Sequence, residues 1–210
     1  MSSPEPSTDP VADCPFCHRE SLGGVLAETE CFFVLADHAP LIDGHTLIVP
    51  KRHYACYGAL PPELDAELLA LKRRVARVLV AAYHAPVFFE HGVFRQTVFH
   101  AHLHAMPFGE VEFGVRGLAA AHGRAVHSQY DIRDWYTARG HYFYIEQPPR
   151  DGARAEAAVF PPDMGVYFRV LGALRDAADR DGGWAPPGER RATAAPKLKA
   201  LADAWRGLDR

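Results

Sequence analysis

The sequence predicts an α+β fold: an antiparallel sheet with a long helix on one face, followed by a C-terminal α/β extension. Three observations carry this. Short apolar segments of strand length, bounded by Gly and Pro, recur through the first half of the chain. One amphipathic stretch of helical period divides them into two pairs. Beyond Pro107, strand-like and helix-like segments continue with a weaker pattern.

Residues 1–13, MSSPEPSTDPVAD, are rich in Ser and Pro without a basic patch or an apolar core, and read as a disordered tail rather than a signal peptide. Residues 31–35 (CFFVL) form a first strand, and residues 37–44 a loop containing Pro40 and ending in Gly44. Residues 45–49 form a second strand, stopped by Pro50. Pro61 and Pro62, with Glu63 and Asp65 behind them, suit a helix start. Leu64, Leu68, Leu71, Val75, Val78, Leu79 and Ala82 then recur at helical spacing to about Tyr83, while Lys72, Arg73, Arg74 and Arg77 form a solvated face. Strands follow at 87–90 and 97–106, joined by a loop at 91–96. Further on, strands at 142–146 and 155–160 flank a Pro/Gly turn at 147–152. A helix at 163–179, a loop at 181–196 and a closing helix at 197–206 complete the chain. The organisation expected is a tail at 1–13, a first domain at 14–110 and an extension at 111–210.

Composition narrows the function. The 210 residues carry a formal net charge of −3, which gives no electrostatic case for nucleic acid or a membrane surface as partner. No apolar run approaches the roughly 20 residues needed to span a bilayer, so a cytoplasmic protein is expected. The sequence lacks the P-loop, GxGxxG, GxSxG and HExxH patterns, which disfavours an NTPase, a dinucleotide-dependent dehydrogenase, a serine hydrolase and a zincin.

Two clusters carry chemistry. In a strand, His100, His102 and His104 would share one face, leaving Phe99, Ala101, Leu103 and Ala105 to pack on the core behind it. An imidazole is mostly neutral at pH 7 and offers a lone pair to phosphorus, splitting one displacement into two. Gln96 and Thr97, just before, offer donors to phosphate oxygens. Spacing alone leaves catalysis and metal binding open for the three histidines. Cys14 and Cys17 have the spacing of a zinc knuckle; a redox pair should instead open a helix after a strand. Two more ligands would close a tetrahedron, with His53 and His100 the best candidates and Cys56 and His18 as competitors. Cys31, within an apolar strand, reads as a core residue. Lys51 and Arg52 read as a solvated turn, His45 as a satisfied buried histidine, and residues 142–144 as core or dimer interface.

The segments GHTLIVPKRH at 44–53 and QTVFHAHLHAMP at 96–107 resemble the histidine-triad (HIT) superfamily, whose HxHxHxx signature residues 100–106 fit at every histidine. The resemblance spans roughly residues 14–108. It implies that His102 is the nucleophile on the α-phosphorus of a nucleotide, that His104 belongs to the α-phosphate site, and that Asp37 binds ribose. It also implies a structural zinc ion on Cys14, Cys17, His53 and His100, leaving no open position for water. Histidine rather than glutamine at position 104 leans toward a hydrolase. Nucleotidyl transfer is the alternative, faintly supported by the likeness of residues 89–92 (FEHG) to the uridylyltransferase branch. A non-catalytic nucleotide-binding module is the third possibility. Where family members commonly have Asn and Gly, this chain has His91 and Arg95, and Arg95 would place a cation beside the phosphates. Family members are often homodimers, so a homodimer is expected.

Overall fold

The structure, a computed structural model, describes residues 10–109, 111–148, 155–179 and 184–208. Residues 1–9 of the expected tail, 149–152 of the expected turn and 181–183 of the expected loop lie outside the described residues. Eight strands form one sheet: β1 (Val25–Glu28), β2 (Phe32–Ala36), β3 (Thr46–Pro50), β4 (Val87–Glu90), β5 (Leu103–Met106), β6 (Arg124–Ala125), β7 (Phe143–Gln147) and β8 (Glu156–Phe160). Their order is β1-β2-β3-β5-β4-β7-β8-β6, and every strand pairing is antiparallel. The helices are α1 (Asp65–Ala82), α2 (Val115–His122), α3 (Gln129–Arg139), α4 (Met164–Asp179), α5 (Pro187–Ala192) and α6 (Ala195–Leu208).

The apolar period of α1 places Leu68, Leu71, Val75, Val78 and Leu79 inward. They meet Phe32, Val34, Ile48, Phe88, Leu103 and Ala105 of the sheet, with Leu201 and Trp205 of α6 in the same cluster. Because successive strand residues face opposite ways, the alternate residues build the other face. There Phe33, Leu35, Leu47 and Val49 form one small cluster. Val87, Phe89, Met106, Phe143 and Ile145 form another, closed by Val166, Val170 and Leu174 of α4. His104 lies opposite Leu47 on β3 and Phe89 on β4, at the seam between these two clusters.

β4 and β7 pair through Phe88–Glu146, Phe89–Ile145 and Glu90–Tyr144. The extension therefore continues the sheet of the first half within one chain, and the two outermost strands are β1 and β6. Lys72 joins this seam. Its ammonium contacts Glu146 at 2.6 Å and sits 4.6 Å over the Phe88 ring, so it is half-buried and not part of a solvated face.

Several expectations shift. β1, α2, α3 and β6 have no counterpart in the sequence reading, and α5 occupies part of the expected loop at 181–196. The strand expected at 97–106 is ordered as strand only from Leu103. β3 pairs with β5 no further than Ile48–Leu103, and Pro50 has no N–H to offer. The chain instead turns away: Ala101 N–H donates to the Tyr54 carbonyl at 2.7 Å, and the His100 ring bonds the Pro50 carbonyl. Phe99, released from the sheet, is 66% exposed rather than packed on the core. Tyr142, Phe143 and Tyr144 are core residues.

One buried carboxyl holds β4, the β3–α1 connection and the residue before β7 together. Glu90 accepts hydrogen bonds from Tyr57 N–H at 2.7 Å and from the Tyr142 hydroxyl at 2.6 Å. Burial pushes it from 4.5 up to about 7, with the two hydrogen bonds acting the other way. Cys56 and Tyr57 pack beside it, and their own groups are raised by burial and by its charge. A carboxyl whose folded pKa lies above its unfolded one contributes stability that is complete at low pH and is lost as pH rises through about 7. Glu90→Gln, isosteric and neutral, should remove up to about 3 kcal/mol of pH dependence. The thermal midpoint of the variant, followed from about pH 5 to about pH 8, should fall less than that of the parent. Parallel profiles would show that Glu90 is not the titrating group.

Candidate active site

The triad face is built by β5 and the irregular residues before it. His102, 6% exposed, bonds through Nδ1 to the His100 carbonyl at 2.6 Å. A carbonyl only accepts, so Nδ1 carries the proton and the neutral ring keeps its lone pair on Nε2. Burial holds the His102 pKa down, against the bond to His100 and the charge of Asp37.

His104 is fixed by a chain of donors. Leu41 N–H donates to His45 Nδ1 at 3.1 Å, so the neutral His45 ring carries its proton on Nε2. That Nε2 lies 3.0 Å from His104 Nδ1 and donates to it. His104 in turn carries its proton on Nε2, which is buried with no hydrogen-bond partner among the described residues. Burial pushes the His104 pKa well down, helped by His102, His45, His91 and Arg190. The centroids of the His102 and His104 rings are 5.1 Å apart. His45 is buried and satisfied, as its sequence context suggests, and it also orients the third histidine.

Asp37 lies at the other end of this chain, its Oδ2 3.7 Å from His45 Nε2. Its Oδ1 accepts Ala39 N–H at 2.7 Å, closing its own loop. Burial alone would raise its pKa, but His45, the Ala39 N–H, His38 and Arg190 together hold it down, so it is a carboxylate. Asp37, His45 and His104 also come close enough to suggest a metal site. The Leu41 N–H argues against this, because it places the proton of His45 on the nitrogen that would have to ligate.

The loop before the triad contributes unevenly. Gln96 is buried and its amide donates to the Ala55 carbonyl at 3.0 Å, while Thr97 is exposed. Arg95 is exposed and adopts φ 59°, the left-handed region where glycine is at ease, which accounts for glycine in the family pattern there. His91 packs 6.0 Å from the His104 ring, and burial followed by the charge of His102 pushes it down to about 4. Its Nδ1 meets the Tyr167 hydroxyl of α4 at 3.3 Å. Phe16, between the two knuckle cysteines, lies 5.5 Å from His102.

Cys14, Cys17, His53 and His100 bring one donor atom each within 4.8 Å of one another and could hold a metal ion. Cys14 Sγ is 3.4 Å from His100 Nδ1, and Cys17 Sγ is 3.3 Å from His53 Nδ1 and 3.6 Å from His100 Nδ1. His100 donates its Nε2–H to the Pro50 carbonyl at 2.8 Å, which leaves Nδ1 free to ligate. Cys56 is fully buried beside Glu90 and belongs to a different cluster; His18 bonds the Ala12 carbonyl. Lys51 pairs with Glu28 at 2.7 Å and sits over the Phe33 ring.

Tyr167 and Arg190 were not legible as site residues. They come from the extension, and no motif spacing connects them to the triad across the intervening residues. Arg190 donates to the Ala39 carbonyl at 2.6 Å, and its charge is felt at Asp37, His45 and His104.

The HIT domain family model matches residues 18–110. An uncharacterized HIT-like protein of Mycobacterium tuberculosis is 34% identical over 103 residues, covering 47% of this chain and 71% of that protein. Adenosine 5'-monophosphoramidase hnt1 of Schizosaccharomyces pombe is 31% identical over 90 residues, covering 43% of this chain and 68% of its own. Among solved structures, a HIT family protein from Bacillus anthracis aligns with a TM-score of 0.43 and 27% identity, covering 46% of this chain and 73% of that one.

Proposed function

This chain belongs to the HIT family, and from that premise we propose that it is a nucleotide hydrolase that cleaves at the α-phosphate through a covalent bond to His102. The observation that carries the reading is the pairing of tautomers: His102 presents a bare Nε2 while His104, 5.1 Å away ring to ring, presents an unpartnered Nε2–H. The His102 lone pair forms the N–P bond as the bond from phosphorus to the leaving group breaks, and a phosphate leaving group takes that electron pair and departs as an anion. The ring keeps its Nδ1 proton on the His100 carbonyl and carries the positive charge. Water then forms a new O–P bond, the N–P bond breaks, and its electron pair returns to Nε2. The proton lost by water leaves with solvent, and a nucleoside monophosphate is released. The His104 Nε2–H donates to a non-bridging oxygen, where charge develops during both steps. In this reading Asp37 accepts from ribose hydroxyls through Oδ2, which lies 3.7 Å from His45 Nε2, beyond hydrogen-bond distance.

The metal reading is zinc. Bond lengths of about 2.3 Å to sulfur and 2.0–2.1 Å to nitrogen make tetrahedral ligand–ligand edges of about 3.4–3.8 Å. The S–N distances of 3.3, 3.4 and 3.6 Å match that size. Cys14, Cys17, His53 and His100 would hold the ion with a full shell, so it supplies structure rather than chemistry. The transferase alternative gains nothing from the structure around Glu90, since that carboxyl is buried against Tyr57 and Tyr142 on the opposite face of the sheet.

Brief incubation with a dinucleoside polyphosphate, followed by intact-mass analysis after acid-free quenching, should reveal a nucleotidyl adduct that decays in water. An adduct that persists until phosphate or a metabolite is added would establish transfer instead. No adduct, with nucleotide still bound, would make the protein a binding module.

A further inference from the structure

Three cations of the extension reach onto the loop that carries Asp37. Arg191 donates to His38 Nε2 at 2.9 Å, Arg190 donates through Nη1 to the Ala39 carbonyl at 2.6 Å, and Lys197 meets Asp43 at 2.7 Å. The segment they come from is fixed: Ala194, between α5 and α6, is 2% exposed, and α6 is buried through Leu201 and Trp205. Arg190 is the most constrained of the three. Its Nε donates to the Ala185 carbonyl at 2.9 Å, and its guanidinium lies 5.9 Å from the centre of the Trp184 ring. Both contacts fix the plane of the fork while Nη1 is spent on Ala39.

Ala39 is where Arg190 and Asp37 meet. This buried residue donates its N–H to Asp37 Oδ1 at 2.7 Å, and its carbonyl takes the hydrogen bond of Arg190. Asp37 is thus held through the backbone rather than by a direct ion pair. A guanidinium set against the carboxylate would occupy the oxygens a ligand needs; behind Ala39 it steadies Oδ1 and leaves Oδ2 to the ligand. Loss of Arg190 strips the carbonyl of this donor, and a polar group unpaired in a buried residue drives the chain to shift toward water. The shift carries the Ala39 N–H with it, and so the Asp37 side chain. Burial chiefly holds the His45 imidazole below its ordinary value against the charge of Asp37, and Arg190 adds to that hold.

We propose that Arg190 is a positioning residue of the ribose subsite: it aims the Asp37 carboxylate through Ala39, and so sets the preference for a nucleotide with free 2′- and 3′-hydroxyls. This rests on the nucleotide reading above and adds to it a residue outside the span 18–110 that the family model matches. The extension is in this way part of how the site is built.

Calorimetric titration of the full-length, zinc-loaded chain with AMP and with 2′,3′-dideoxy-AMP tests this without turnover, since neither ligand carries a leaving group on its α-phosphate. AMP should bind the parent about tenfold or more tightly. Arg190→Met, which keeps an apolar chain but removes the charge and the donors, should cut the preference to about threefold or less by weakening AMP alone. Asp37→Asn should lower it as far, and adding Arg190→Met to Asp37→Asn should change the ratio no further, because the two act as one unit. Arg190→Lys should retain part of the preference. Equal losses for both ligands in Arg190→Met would make the arginine a prop of the fold, and an unchanged ratio would make it a bystander; either overturns the proposal. A parent chain that binds both ligands equally overturns the ribose role of Asp37 and the proposal with it. Failure of both to bind overturns the nucleotide reading itself.

Discussion

His102→Ala should reduce turnover of a nucleotide conjugate by about 10⁴-fold or more, with metal content unchanged. The magnitude follows from the absence of a substitute. His104 has its Nδ1 committed to the His45 N–H, and its Nε2 holds a proton, so it has no lone pair to offer phosphorus. The free nitrogen of His100 faces Cys14 and Cys17. His91 bonds Tyr167 through Nδ1. Removing the ring of His102 would thus remove the proposed nucleophile and leave only binding and the His104 N–H, the residue of catalysis that survives loss of a covalent catalyst elsewhere. Steady-state rates with a dinucleoside polyphosphate, paired with elemental analysis, separate the two roles on this segment. Retention of full activity by the variant would end the covalent mechanism.

The second large effect concerns the metal. Cys17→Ala should lose the bound ion and lower the thermal midpoint by about 10 °C or more, because a structural zinc site is worth about 10–16 kcal/mol in small peptides and a domain's total stability is only about 5–15 kcal/mol. Cys17 is the sharper choice of ligand since it approaches both His53 and His100. An ion held by Cys14, Cys17, His53 and His100 would tie residues 14–17 to residue 100, whose carbonyl orients His102. Activity should fall with the metal although no metal atom touches substrate. Chelator treatment of the parent should reproduce the loss, and readdition of zinc should reverse it. A variant that loses the ion yet melts with the parent would show that the cluster has no structural role.

The fold was most legible where periodicity is strong. The span of α1 and the inward set Leu68, Leu71, Val75, Val78 and Leu79 follow from the 3.6-residue repeat. The helix expected at 163–179 is α4, one residue shorter at its start. The long strand at 97–106 misled because alternation in sequence says nothing about whether a partner strand extends far enough, and here β3 ends in Pro50. Around the candidate site, Cys14, Cys17, His53 and His100 come close enough to hold a metal ion, and the His102 and His104 rings lie 5.1 Å apart. Thr97 and Arg95 are exposed, and the Gln96 amide is spent on Ala55, so the phosphate donors expected from those residues narrow chiefly to His104. Tyr167, Arg190 and the role of His45 depend on tertiary contacts between residues 59 or more positions apart, which no local pattern encodes.

The hydrogen bonds between β4 and β7 carry a consequence for where this molecule can be cut. The family match stops at residue 110, yet a fragment ending there would bare the backbone of a strand whose four residues are all buried. Naked strand backbone beside apolar side chains invites other chains to dock and precipitate. The boundary visible in the sequence is thus not a seam along which the protein comes apart, and the two halves should melt as one cooperative body.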